Sequence, residues 1–73
     1  MKLWSFIFTE PTEFLRSARV AARDRGEACM VMGGFLKRPL TPALGMSPAP
    51  GIIFQCMGAV EDTEPGILMA VTR

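Results

Sequence analysis

Seventy-three residues with no histidine suffice for one domain, residues 1–73, and exclude a second core, since separate domains usually need roughly 100 residues or more. Eight basic against seven acidic residues leave a formal charge of +1, which removes the strong electrostatic drive of sequence-independent nucleic-acid binders. Apolar residues make up 49% of the chain, six Met and five Phe among them, more than one small core absorbs, so an exposed apolar surface is expected.

Lys2 to Thr9 alternates, with Trp4, Phe6 and Phe8 on one face, and its aromatic and β-branched content predicts a strand. The run Thr9-Glu10-Pro11-Thr12-Glu13 carries helix-start signals, and the spacing of Phe14, Leu15, Ala18, Ala21 and Ala22 predicts an amphipathic helix running to Arg25 and stopping at Gly26. Ala28 to Met32 is a continuous apolar run closed by Gly33-Gly34, read as a short buried second strand. A strand, a helix and a strand in that order make a right-handed crossover with two parallel strands.

Phe35 to Gly51 holds four of the six prolines and is expected to be a long irregular loop between the second and third strands. Ile52 to Val60 and Ile67 to Thr72 flank the polar turn Glu61 to Gly66 and read as a β-hairpin. The expected fold is therefore α+β, β-α-β-β-β, with one amphipathic helix packed on a small mixed four-stranded sheet. One helix covers one face of such a sheet and leaves the other partly exposed.

No constellation for catalysis is visible: the commonest general base is absent, and Met32-Gly33-Gly34-Phe35 lacks the Gly-Lys-Ser/Thr of a P-loop. Cys29 and Cys56 sit in apolar runs without CxxC spacing, which reads as two buried thiols in a reducing compartment. A Cys29–Cys56 bridge would need neighbouring strands and an oxidising compartment. Glu61, Asp62 and Glu64 form a solvated turn whose spacing is unlike a calcium loop. No cofactor and no metal are expected, and the reading is non-enzymatic.

The apolar run of Leu3 to Phe8 is cut short by Thr9-Glu10-Pro11 before a signal-peptide core is complete, and no stretch approaches the roughly 20 residues of a membrane span. A soluble, cytoplasmic protein is expected, with no membrane partner and with a monomer favoured.

The candidate partner-binding residues are Trp4, Arg16, Arg19, Arg23, Phe35, Lys37 and Arg38. Arg16, Arg19 and Arg23 would form a guanidinium stripe on the helix, able to grip carboxylates or phosphates or simply to be solvated. Phe35, Lys37 and Arg38 mix apolar and basic character in the proline-rich segment, as either a recognition segment or a plain connection. Trp4 is either a core residue or a binding anchor.

In its length, β-α-β-β-β order and lack of catalytic machinery, the chain resembles a small phage-encoded transcription regulator that binds bacterial host RNA polymerase. The resemblance implies docking near the N-terminus of the largest polymerase subunit, interference with the promoter-specificity factor, inhibited initiation and suppressed termination. The alternatives are a phage or mobile-element inhibitor of a host defence enzyme, a small nucleic-acid-binding module using the helix arginines, with DNA contact otherwise secondary, and a homodimeric subunit pairing through its exposed sheet.

Overall fold

The structure is a computed structural model and describes residues 1–40, 49–61 and 64–72. Four strands form one sheet with a single helix: β1 (Lys2–Phe8), β2 (Leu15–Ala22), α1 (Arg25–Leu36), β3 (Ile52–Ala59) and β4 (Gly66–Thr72). The spatial order is β3-β1-β2-β4, and every pair is antiparallel. The α+β class holds. The order is β-β-α-β-β rather than β-α-β-β-β, and the sheet is antiparallel rather than mixed.

The first correction concerns residues 14–24, which form β2 with a bend on either side of it where a helix was expected, and Arg25 opens α1 rather than closing that helix. Ala18 stands opposite Phe6, and Val20 opposite Trp4. Small and medium side chains on β2 leave room for the large rings on β1, and this tertiary fit overrides alanine's intrinsic preference for helix. An extra residue at Arg16 brings Leu15 onto the same buried face. The indole Nε1 of Trp4 donates to the Ala22 carbonyl at 3.1 Å, so its polar atom is satisfied inside the core.

The second correction follows from the first: Ala28 to Met32 is the middle of α1, not a strand. Asp24 caps the helix from an extended conformation, with Oδ1 accepting from the Glu27 N–H at 2.8 Å. Glu27 Oε1 in turn accepts from the Arg23 N–H at 2.8 Å. These two bonds satisfy amides left unpaired at a helix start. The helix continues through Gly33-Gly34 and ends at Lys37, whose left-handed φ of 58° turns the chain away.

Third, β3 and β4 do not form a hairpin. They occupy opposite edges of the sheet, separated by the β1–β2 pair. Val60 N–H donates to Met1 O at 2.9 Å, where β3 ends beside the start of β1. Of the expected loop at 35–51, Phe35 and Leu36 belong to α1, while residues 41–48 lie outside those described.

α1 packs chiefly on β2 and also touches β4. The core gathers Trp4, Phe6, Phe8, Leu15, Ala18, Val20 and Ala22 from the central strands, Ala28 and Met32 from the helix, and Ile52 from β3. Phe54 lies between Trp4 and Phe6, with centroid separations of 5.3 and 4.7 Å, and the Arg25 guanidinium stands 5.8 Å from its ring centre. Aromatic pairs at these distances add roughly 0.5–1.5 kcal/mol each beyond the area they bury. No described helix is long and apolar enough to cross a membrane.

Candidate interaction surface

Trp4, Phe6 and Phe8 point toward the helix, so Leu3, Ser5 and Ile7 belong to the opposite face. The register extends this alternation into cross-strand rows. One row reads Ile53, Ile7, Ser17 and Val71; the next reads Gln55, Ser5, Arg19 and Met69. Ile53 is 49% exposed and Met69 52%, with Ile7 and Val71 somewhat less so. At roughly 4.8 Å between strands and 3.3 Å per residue, this face measures on the order of 400 Å². Ile53, Ile7, Val71 and Met69 supply its apolar part, set among Ser17, Gln55, Ser5 and Arg19, and a mixed face of this kind is in keeping with an interaction site.

One charge lies in the two rows, on Arg19. Within the four strands the only charged residues are Lys2, Arg16 and Arg19, and none is acidic. Arg19 has no ion pair among the described residues. A guanidinium so placed, between Ser5 and Met69, offers a fork of donors to a carboxylate arriving from outside.

The seven candidate residues do not converge. Trp4 is core, 7% exposed. Arg16, Arg19 and Arg23 form no helical stripe, because Arg16 sits at the β2 bulge, Arg19 on the open face and Arg23 in the bend before α1. Phe35, Lys37 and Arg38 lie at the end of the helix. There Arg38 pairs with Glu13 at 2.7 Å, and the rings of Phe35 and Phe14 stand 6.3 Å apart. These contacts tie the helix end to the β1–β2 connection and give Arg38 and Phe35 a structural role.

Sequence reasoning placed Ile7, Ile53 and Met69 among apolar residues of both parities and expected docking on the uncovered face, but did not single them out as site residues, and it passed over Gln55 and Val71. Their signal was parity: once Trp4, Phe6 and Phe8 are assigned to the core, the odd positions of β1 and their partners define the other face.

Cys29 is buried in the helix, where desolvation raises its thiol pKa and the nearby Arg25 charge partly opposes the rise. Cys56 is exposed on β3, so the expectation of two buried thiols is corrected. An open groove at the helix end is lined by Cys29, Met30, Gly33, Lys37 and Arg38. Among the described residues no buried side-chain polar atom is left unpaired to orient a ligand there, and no group of three or more His, Cys, Asp or Glu could hold a metal ion. Part of the acidic turn, residues 62–63, lies outside the described residues. No family model matches the chain, and no curated protein or solved structure matches it.

Proposed function

We propose that this protein is a non-enzymatic regulator that binds another protein through the helix-free face of its sheet. The observation that carries the proposal is Arg19, the one charged side chain in two rows that also present Ile53, Ile7, Val71 and Met69, on strands that contain no acid. The partner surface is apolar and places a carboxylate opposite Arg19. A second copy laid face to face would instead set two arginines against each other without a counter-ion, which is costly once water is excluded. Nucleic acid fits less well, because a single cation among Ile, Met and Val gives little phosphate contact.

Bacterial RNA polymerase is the named partner to test first. With the observed order β-β-α-β-β, the chain's likeness to polymerase-binding phage regulators lies in its length and in a sequence without a recognisable catalytic constellation. Purified protein, mixed with polymerase before promoter DNA is added, should form a stoichiometric complex and inhibit initiation without turnover. Arg19→Glu should abolish the complex, whereas Arg23→Glu, off the face, should keep it. A complex retained by Arg19→Glu would overturn the assignment of the face. No complex at all would turn the search toward host defence enzymes.

A further inference from the structure

We infer that a second copy of this chain pairs antiparallel along β4, joining two sheets into one of eight strands. The inference concerns an edge rather than the open face, and it departs from the monomer expected from sequence.

β4 is an edge strand, so half of its backbone donors and acceptors have no partner within the sheet. Natural edges are blunted by lysine, proline or a covering element. Ile67 to Thr72 contains no charge, no proline and no glycine, and Leu68 to Thr72 are exposed on both sides of the strand. Such a strand is an open template for pairing, and an uncharged one pairs with itself without like-charge repulsion. The other edge is less suited. β3 has an extra residue at Met57 next to Gly58, whose φ is 115°, and the Arg25 guanidinium lies over its Phe54. Bulges of that kind bend an edge away from further pairing.

The register can be derived. Residues directly opposite in an antiparallel pair share a face, so a two-fold axis through a residue preserves the alternation. Met69 and Val71 belong to the open face and Ala70 to the helix side. An extra residue at Leu68 breaks the alternation below Met69, leaving Met69 to Thr72 as the regular stretch. An axis through Ala70 sets Ala70 against its own copy and Met69 against Val71 of the second copy. The two open faces then become continuous, and together reach about the 800 Å² per partner of a standard protein interface. A strand about 20 Å long buries less than that in the pairing itself, so the dimer is weak and concentration-dependent.

Sedimentation equilibrium from about 5 to about 500 μM, a range that brackets weak association, should show monomer giving way to dimer. Val71→Lys should weaken association by about tenfold or more, by placing a charge at the pairing edge, with an unchanged urea midpoint. Ile53→Lys, at the opposite edge, should leave association unaltered. In a Cys56→Ser background, Ala70→Cys should give a dimer covalently linked by a short bismaleimide, since opposed Cβ atoms in such a pair lie about 4.5–5.5 Å apart, within a short linker's reach though wide for a direct disulfide. A monomer throughout the range, or a dimer weakened by Ile53→Lys and not by Val71→Lys, would overturn the inference. Absence of the Ala70→Cys cross-link in a chain that still dimerises would overturn the register, and open-ended polymers would overturn the closed pair.

Discussion

A Cβ added to Gly33 would lie 2.8 Å from the carbonyl oxygen of Arg38, because the turn that ends α1 folds back directly over Gly33. The Arg38 N–H donates to Gly33 O at 3.1 Å and fixes that approach. Gly34, one residue on, has nothing within 4 Å of its Cβ position. Adjacent glycines thus predict opposite effects. Gly33→Ala should cost about 1–3 kcal/mol by overpacking, whereas Gly34→Ala should stabilise by roughly 0.5–1 kcal/mol through helix propensity. Urea unfolding of the two variants measures both, and shifts of the same sign would contradict the helix end described above.

Phe6 and Phe14 should also part company. Phe6 is fully buried between Phe8 and Phe54, so Phe6→Ala should cost about 3–5 kcal/mol. Phe14 would be a core ring if residues 14–25 were the helix, but it is 54% exposed and meets only the edge of the structure near Phe35. Phe14→Ala should cost no more than about 1 kcal/mol, in line with surface positions that have one modest aromatic contact. Equal losses from the two would return Phe14 to the core.

Cys29 makes stability fall at alkaline pH. Its folded pKa is raised by burial above its unfolded value, so the native state holds the proton more tightly. That contribution is fully present below the unfolded thiol pKa of about 8.5 and is lost as pH rises through the folded value. The urea midpoint should decline above about pH 8.5, and Cys29→Ala should flatten part of the decline. Iodoacetamide at pH 8 should label Cys56 alone in the native protein and both thiols in urea.

The strand β1 was legible because Trp4, Phe6 and Phe8 alternate without ambiguity. Residues 14–36 were not, since Leu15, Ala18 and Ala22 satisfy a helical spacing as well as an alternation repaired by one bulge. The decisive local signal was Asp24 with Glu27 three residues later, a helix start that competes with the weaker one at Thr9-Pro11. Gly33-Gly34 read as a stop because glycine is a poor helix former, whereas the close approach of Arg38 requires it at Gly33. β3 and β4 were recognised as strands, but alternation does not say which strand pairs with which. The bare face was legible because one helix covers one side of a sheet, whereas Arg19 shares no stripe with Arg16 and Arg23 once residues 15–22 are a strand.

The placement of β3 and β4 on opposite edges has a consequence for how the chain reaches its native state. The central hairpin is built from the first 22 residues, yet both strands that flank it come from beyond residue 51. Leu15 must find Thr72, more than three quarters of the chain away, and Phe6 has no Phe54 beside it until β3 arrives. Pairings of such high contact order carry a large loop-closure entropy before any contact repays it, which places folding in the slow, millisecond-to-second range. During synthesis the hairpin and helix therefore emerge with both sides of the hairpin open, and a chaperone that shields extended apolar segments would meet this protein early.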